Sequence, residues 1–342
     1  MAGKDVFLIG PGFIGLEVLA ELLKDGYHVT TLVRREEAAA DLKKKGVKTI
    51  MGSLLDLDII TNTSAESDIV IHTATADDKP SAEAVLEGVS KRAAAGKCTI
   101  YIHTSGCSEI VDDSHGTYVS ETIYEDDNPE KIDALPDTAP HRSIDLAILK
   151  KRTELGSKAK ISIVLPPLIY GLGKASGRLS IQIPTMARFA LKHGYAGHIG
   201  AGESVWGHVH VTDLARGYLL ILHWMEQTNA EKVLENPYFF AENGEEHSWK
   251  KCAEEIGKAL HKEGKIKDPK PREIPKDLYG DIFGEWSMVV VGENSRNRAN
   301  RLRALGWKPV EKLSFQSLHE DEIPALLKEQ GNYTGYAKAV AS

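Results

Sequence analysis

Short apolar runs and helical patterns alternate along the first half of the chain. The apolar runs have the length of buried strands, and residues 13–26 repeat apolar positions at helical spacing until Gly26 ends the pattern. Regular strand–helix alternation predicts an α/β fold, in which helices cover both faces of a parallel sheet. The predicted strands cover residues 5–10, 28–34, 47–53, 68–74, 99–105 and 161–171.

The pattern becomes less regular after Gly171, which predicts a second, smaller domain built from interleaved pieces. Residues 208–225 resemble a further strand end and helix of the sheet domain. We expect a sheet domain of residues 1–170 plus about 202–242, and a substrate-binding domain of about 171–201 plus 243–330. The connection 107–140 is longer than structureless loops normally are, so we expect it to form a lid or a wall.

Composition narrows the classes of partner. The 342 residues are 42% hydrophobic and 27% charged, with a net charge of -7 and a pI near 6.0, which gives no electrostatic reason to bind nucleic acid or acidic membranes. The three cysteines show neither metal-site spacing nor a disulfide framework. No apolar run is long enough to span a bilayer, and the first residues lack a signal-peptide pattern. We expect a cytoplasmic protein whose partner is a small molecule.

Three glycines follow the first predicted strand and open a helix. Gly10, Gly12 and Gly15 have the G-x-G-x-x-G spacing of a dinucleotide-binding turn in the context that this motif requires. Gly10 would make the tight turn, Gly12 would let the backbone approach a pyrophosphate, and Gly15 would let the helix pack on the strand. The amides near Phe13 and Ile14 would direct the positive helix end at the phosphates.

The end of the second predicted strand indicates which dinucleotide is bound. NAD-binding proteins usually carry an acidic residue about twenty positions beyond the glycines, but this chain has Arg34 and Arg35 there. A guanidinium matches a 2′-phosphate by charge and by geometry, so NADP(H) is preferred and NAD(H) remains possible. The alternative is that both arginines only begin the next helix and pair with Glu36 and Glu37.

Together with the glycine motif, further segments resemble the extended branch of the short-chain dehydrogenase/reductase superfamily, which includes sugar-nucleotide epimerases and dihydroflavonol-reductase-like enzymes. Residues 209–217 and 298–309 are similar to later landmarks of the same branch. The resemblance implies a Rossmann-type doubly wound sheet, a homodimer as a possible assembly, and a row of cofactor contacts. Those contacts are Ser53 and Leu54 for the adenine, Thr73, Ala74, Thr75 and Thr104 along the cofactor, and Pro167, Leu168 and Ile169 against the nicotinamide.

The catalytic pair of this family, Tyr-x-x-x-Lys, is missing from the expected helix. By position in the chain its slots fall on His141 and Asp145, and the family's catalytic serine slot falls on Ser105. We hypothesise that Ser105 hydrogen-bonds the substrate oxygen and that His141, with the Asp145 carboxylate near it, donates a proton near neutral pH.

Two alternatives to this assignment remain open. One is that His141 and Asp145 only begin a helix. The other is that Tyr118 or Tyr124, in the connection 107–140, reaches back as a substitute acid.

The leading functional prediction is an NADPH-dependent oxidoreductase that reduces a carbonyl, or with lower weight an imine or enone, of a small organic molecule. One alternative is a non-catalytic NADP(H)-binding redox sensor, and another is a sugar-nucleotide epimerase or dehydratase. No metal site is predicted, because His208 and His210 alternate onto one strand face without an acidic or sulfur partner at recognisable spacing.

Overall fold

The computed structural model describes residues 3–329. Its strands are β1 (Asp5–Ile9), β2 (His28–Val33), β3 (Lys48–Met51), β4 (Ile69–His72), β5 (Thr99–Thr104), β6 (Tyr124–Glu125), β7 (Ala159–Leu165), β8 (Leu168–Tyr170), β9 (Gly197–His198), β10 (Val205–His210), β11 (Tyr238–Phe240), β12 (Glu246–Ser248), β13 (Arg272–Glu273) and β14 (Asn297–Arg298).

The α-helices are α1 (Phe13–Lys24), α2 (Glu36–Lys44), α3 (Leu57–Glu66), α4 (Lys79–Ala94), α5 (Pro129–Asp133), α6 (Arg142–Leu155), α7 (Gln182–His193), α8 (Val211–Gln227), α9 (Ala230–Val233), α10 (Trp249–Lys262), α11 (Ser287–Val291), α12 (Asn300–Ala304), α13 (Ser314–Ser317) and α14 (Ile323–Leu326). Short 3-10 helices lie at Cys107–Ile110, Gly156–Lys158, Lys276–Asp281 and Gly284–Trp286, and a π-helical turn lies at Leu318–Glu322. None of the helices within residues 3–329 is long and apolar enough to cross a membrane.

A seven-stranded sheet forms the centre of the molecule, in the order β11-β7-β5-β4-β1-β2-β3. Every neighbouring pair in it is parallel, and all its strands except the edge strand β3 are mostly buried, as a sheet covered on both faces requires. The predicted Rossmann-type α/β class is therefore confirmed. The strand order reverses between β1 and β4, which is where this architecture places its ligands.

The predicted strand 161–171 is wrong in its extent. It is two strands, β7 in the central sheet and β8 in a second sheet, and Pro166 and Pro167 separate them. Proline has no amide hydrogen to donate to a strand ladder, so the chain leaves the central sheet at this point. The seventh central strand, β11, was missed because three residues are too few to show a period.

Residues 208–225 form the expected strand end and helix, but the strand does not join the central sheet. Their helix, α8, packs on the central core, but β10 belongs to a separate three-stranded sheet in the order β12-β10-β8. Strand β10 is buried along its whole length. Its sequence therefore has the same continuous buried pattern as a strand of the central sheet. Only the pairing with β8 and β12 distinguishes them.

The buried apolar residues form two clusters, and the proposed domain boundaries remain a prediction. The larger cluster surrounds the central sheet and the smaller one surrounds α7, α10 and the chain near residues 318–326. The packing differs from the expected division at both ends of the second domain. Leu302 and Trp307 pack into the larger cluster, whereas Leu168 and Trp206 pack into the smaller one.

The long connection 107–140 is not structureless. It contains a 3-10 helix, β6 and α5, and β6 pairs with β14. Its backbone is also held by side chains of the later segment, since Asn294 donates to the Tyr118 carbonyl and Arg296 donates to the Ser120 carbonyl. The segment therefore has the character of a fixed wall.

Candidate functional site

One large cleft, of about 2320 Å³, lies along the carboxyl edge of the central sheet and extends to the smaller apolar cluster. Parallel strands bring the residues that follow them to the same edge, and six central strands contribute here. The first cleft residues that follow these strands are Gly10 after β1, Arg34 after β2, Gly52 after β3, Thr73 after β4, Ser105 after β5 and Pro166 after β7.

The glycine turn lies at the middle of this cleft. Gly10 has φ +90, and a Cβ added to it would lie 2.3 Å from the Cα of Ala74, so only glycine fits both the turn and the contact. Gly12 precedes α1 and has open space where a side chain would be. Phe13 and Ile14, the first residues of α1, line the cleft. The turn leaves its backbone accessible at a helix start.

Gly15 does not line the cleft and instead allows α1 to approach β1 closely. A Cβ at this position would lie 2.0 Å from the Gly10 carbonyl oxygen and 2.6 Å from the Thr73 hydroxyl oxygen. That hydroxyl donates to the Gly10 carbonyl at 2.9 Å, which fixes the turn against the end of β4. This geometry matches the packing role expected for the third glycine.

Arg34 and Arg35 both line one end of the cleft and are exposed. Within residues 3–329 neither guanidinium forms a hydrogen bond or a salt bridge, so the expected alternative, pairing with Glu36 or Glu37, is not seen. Arg35 caps the start of α2 through its backbone. Two charged donors are thus available to an anion at this end.

Ser53 and Leu54 line the same end of the cleft, in the turn after β3. The Ser53 amide and hydroxyl both donate to one Asp56 carboxylate oxygen, at 2.7 and 3.0 Å. These hydrogen bonds hold the turn in one conformation where it lines the cleft.

Most of the residues expected to contact the other half of the cofactor line the cleft. Ala74, Thr75, Thr104, Pro167 and Ile169 all line it. Thr104 is buried and its hydroxyl shares a 2.6 Å hydrogen bond with the Tyr218 hydroxyl.

Leu168 does not line the cleft. It is fully buried in the smaller apolar cluster, because alternate residues of β8 point to opposite faces.

Ser105 lines the cleft, with only 5% of its surface exposed. Its hydroxyl makes no hydrogen bond of normal geometry within residues 3–329. It lies close to the Asp145 carboxyl, and its effect there is to lower the pKa of that carboxyl. A buried hydroxyl that lines a cleft and is not committed to a hydrogen bond of normal geometry is suited to bind a ligand atom.

Asp145 lies behind the cleft rather than in it. The side chain is completely buried, and its carboxyl lies 4.0 Å from the Nε2 atom of His103, whose pKa burial lowers well below its usual range. Burial raises the pKa of Asp145 well above its usual range, and the neighbouring Glu109 carboxylate adds to this rise. The structure therefore does not bring Asp145 together with His141, and it favours a neutral acid at this position.

His141 instead contacts two side chains that the sequence did not indicate. Its Nδ1 atom lies 2.7 Å from Asp77 Oδ1, and its Nε2 atom lies 2.6 Å from Ser108 Oγ. All three side chains line the cleft, and we name this set the Asp–His–Ser triad. The hydrogen bond and charge of His141 lower the pKa of Asp77, which therefore stays ionised at neutral pH.

The backbone explains why the predicted pairing of His141 with Asp145 is wrong. His141 precedes α6 with φ 65, a left-handed conformation that is rare for a residue with a side chain, so it does not share a helix face with Asp145. The sequence gives only a weak indication of Asp77 and Ser108. Each follows a predicted strand within a few residues, where polar side chains reach the sheet edge.

The remaining candidates lie outside the cleft. Neither Tyr118 nor Tyr124 lines it, so the structure does not support a tyrosine as substitute acid. His208 is fully buried, and burial lowers its pKa to about 3, so it stays neutral.

Away from the cleft, the possible ligand atoms of Asp113, His115 and Glu293 lie within 4.8 Å of one another, but Asp113 and His115 are exposed. The absence of a resident metal stays a prediction.

The residues present fit a dinucleotide. The Gly12 position is an open cradle that a Cβ would partly fill, the start of α1 faces it, and unpaired arginines stand at one end. Such a cofactor would be held by the glycine turn in its middle and by the 34–35 and 53–54 segments at its adenosine end.

Comparison with known proteins agrees with this geometry. The sequence profile of the "NAD dependent epimerase/dehydratase family" matches residues 6–235. "Oxidase ucsJ" of Acremonium sp. is 28% identical over 330 residues, which cover 90% of this chain and 93% of that protein.

Two solved structures show the same fold over almost the whole chain. UDP-glucose 4-epimerase of Thermotoga maritima, solved with UDP-glucose, has a TM-score of 0.66 at 18% identity, covering 95% of this chain and 100% of that chain. UDP-glucuronic acid 4-epimerase of Bacillus cereus, solved with UDP-glucuronic acid and NAD, has a TM-score of 0.65 at 16% identity, covering 95% and 99%.

The chain belongs to the NAD-dependent epimerase/dehydratase family and has the fold of the extended short-chain dehydrogenases and reductases. The family resemblance seen in the sequence is confirmed. That the tyrosine and lysine positions of the family's catalytic pair fall on His141 and Asp145 stays a prediction.

Proposed function

We propose that this protein is an NADPH-dependent oxidoreductase that reduces the carbonyl group of a small organic molecule. The observation that carries the proposal is one continuous cleft with a dinucleotide turn at its middle, two unpaired arginines at one end, and polar acid–base side chains near the other. Family membership and the likeness to an oxidase support the oxidoreductase class.

The arginines support the phosphorylated form of the cofactor. Arg34 and Arg35 lie where a ribose 2′-phosphate is bound in proteins of this architecture, and no carboxylate competes for them within residues 3–329. Guanidinium groups bind phosphate through charge-assisted, paired hydrogen bonds. NAD(H) would still fit the glycine turn, since that turn contacts only the part of the molecule that both cofactors share.

The other end of the cleft is suited to a carbonyl group. A bound reduced nicotinamide supplies a hydride, and the protein must then orient the carbonyl and provide a proton. The Ser105 hydroxyl lines the cleft and is available to hydrogen-bond the carbonyl oxygen, and the His141 ring is hydrogen-bonded to Asp77 and Ser108 in the same cleft. General acid catalysis of this kind contributes about 100- to 10,000-fold in rate.

The far wall of the cleft offers an apolar patch to a substrate, although Arg178, Arg188 and Lys192 also line this end of the cleft. It carries the side chains of Leu179, Ile181, Trp286, Val289 and Val290. The Ile181 and Trp286 side chains are exposed, at 40% and 58% of their surface, which leaves an apolar surface for a ligand to cover.

The test is oxidation of NADPH by the purified protein with a panel of ketones, aldehydes, cyclic imines and conjugated enones, with NADH measured in parallel. We expect turnover with at least one apolar ketone or aldehyde and a preference for NADPH. Tight NADPH binding without any turnover would instead support a redox sensor. An oxidised NAD that copurifies with the protein, together with interconversion of UDP-sugars, would support an epimerase, as in the structural neighbours.

A further inference from the structure

We propose that Ser108 is the residue that exchanges the proton with the substrate, and that His141 and Asp77 are positioning residues that act through it. This inference rests on the proposed carbonyl reduction. It assigns the contact with substrate to a serine that no sequence motif singled out, in place of the histidine itself.

The first argument is that both nitrogens of His141 are already engaged. Nδ1 faces Asp77 Oδ1 at 2.7 Å and Nε2 faces Ser108 Oγ at 2.6 Å. An imidazole has only these two polar atoms, so the ring has no free N–H group for a substrate. The Ser108 hydroxyl has spare capacity, because a hydroxyl donates one hydrogen bond and accepts two. It is therefore the group of the triad that a substrate oxygen can contact.

The second argument is that the backbone is held in an uncommon conformation to make this contact. His141 has φ 65, and the structure has only two non-glycine residues with positive φ within residues 3–329. The ring lies against Gly106, where an added Cβ would be only 3.3 Å from Nε2. Backbone strain of this kind persists where the surrounding structure fixes a functional side chain.

The third argument is the order of the groups. A carboxylate, a histidine and a serine linked in this order through Nδ1 and Nε2 form the arrangement that moves protons to and from a serine oxygen in hydrolases. With both ring nitrogens protonated, the histidine donates to Asp77 and to Ser108, and the Ser108 hydrogen is then free to point into the cleft. Besides Asp77, the charged or titratable groups that act electrostatically on His141 are His103 and Glu109.

The proton balance is as follows. A bound reduced nicotinamide would supply a hydride to the carbonyl carbon, and the carbonyl oxygen would then carry the negative charge of an alkoxide. The Ser108 O–H bond breaks toward that oxygen while the Nε2–H proton of His141 moves to Ser108 Oγ. The substrate gains one proton, the histidine loses one and becomes neutral, and Asp77 keeps its hydrogen bond to Nδ1. Once the product has left, Nε2 regains its proton from solvent through Ser108, which lines the open cleft.

Ser105 provides the internal comparison. It lines the same cleft but makes no hydrogen bond to His141. If Ser108 is the proton donor, then Ser108→Ala and Ser105→Ala must differ in their effect on the histidine ring. Ser120→Ala is the matched control outside the cleft, because Ser120 lies in the same connection and its hydroxyl accepts from the Thr122 amide in a local turn, while the backbone contact to Arg296 is kept.

The first measurement does not depend on turnover. The chain has 13 histidines, so selective ¹⁵N-histidine labelling and comparison with His141→Phe assign the ring of residue 141 in nuclear magnetic resonance spectra. We expect a hydrogen-bonded Nδ1 proton that Asp77→Asn removes, and an Nε2 shift that changes in Ser108→Ala but not in Ser105→Ala or Ser120→Ala. An Nε2 shift that Ser108→Ala leaves unchanged overturns the inference.

The second measurement uses the carbonyl compound that the panel identifies. We expect Ser108→Ala to lower kcat about 100- to 10,000-fold with little change in KM, and Ser120→Ala to leave both unchanged. Near-normal kcat in Ser108→Ala overturns the inference while the proposed function stands. If the wild type reduces nothing in the panel but hydrolyses p-nitrophenyl acetate in a Ser108-dependent way, the triad is a nucleophilic one, and both proposals fail.

Discussion

Replacement of Arg34 and Arg35 tests the cofactor proposal most directly. Both guanidinium groups are exposed and have no partner within residues 3–329, so their removal breaks no existing interaction of the fold. Arg34→Ala and Arg35→Ala should therefore leave the unfolding temperature unchanged. Any loss of affinity for NADPH then reports on the 2′-phosphate contact alone.

The expected magnitude follows from exposure. A hydrogen bond to a charged group contributes about 1.5 to 3 kcal/mol when desolvated, whereas an exposed ion pair contributes at most about 1 kcal/mol. For a phosphate held at the open end of a cleft we take about 1 to 1.5 kcal/mol for each arginine, and 1.4 kcal/mol corresponds to a tenfold change. Each single variant should raise the Kd for NADPH about 5- to 10-fold, and the double variant about 50-fold.

The assay is isothermal titration with NADPH and NADH at low and high salt. Binding of NADH should change less than about twofold in every variant, and the NADPH preference of the wild type should shrink at high salt because exposed charges are screened. Lys45→Ala is the matched control, since Lys45 caps the opposite end of α2, about 15 Å from Arg35. Unchanged NADPH affinity in the double variant, or an equal loss for NADH, would refute the reasoning.

Three further predictions concern buried positions. Gly15→Ala would place a Cβ 2.0 Å from the Gly10 carbonyl oxygen, so we expect a loss of about 1 to 3 kcal/mol in unfolding free energy and weaker NADPH binding. Gly12→Ala is the control, because its Cβ meets open space and should leave the unfolding free energy unchanged. Equal thermal melts of the two variants would contradict this prediction. Asp145→Asn should keep kcat within tenfold, because burial already favours the neutral acid, and a hundredfold loss would return Asp145 to the mechanism. Burial raises the pKa of Glu322 to about 7, so between about pH 4.3 and pH 7 the folded state keeps a proton that the unfolded state loses. Stability should therefore fall with rising pH in this window, by up to about 3 kcal/mol, and denaturant titrations of Glu322→Gln should show a flatter profile; parallel profiles would exclude Glu322 as the cause.

Local patterns in the sequence were sufficient for the cofactor half of the cleft. The glycine motif, the strand before it and the helix after it lie within twenty residues, and Arg34 follows directly at the end of the next strand. Parallel strands bring their carboxyl ends to one edge whatever lies between them, so residues that follow predicted strands could be assigned to one cleft. The α/β class and the family resemblance followed from the same features.

The arrangement of the proposed catalytic half of the cleft was decided by tertiary structure. Asp77 and Ser108 lie 64 and 33 positions from His141 in the chain, and no spacing rule connects them. Helical spacing predicts that His141 and Asp145 share a helix face, but the left-handed backbone at His141 prevents this.

The sequence by itself determined the sheet, the glycine turn and the two arginines, because each depends on short-range periodicity or on strand ends. Only the tertiary structure decided which carboxylate the histidine contacts, that a serine completes the triad, and that β8 and β10 form a second sheet. The physical reason is that hydrogen bonds between side chains and the pairing of short strands depend on how distant segments pack, which a local pattern does not encode.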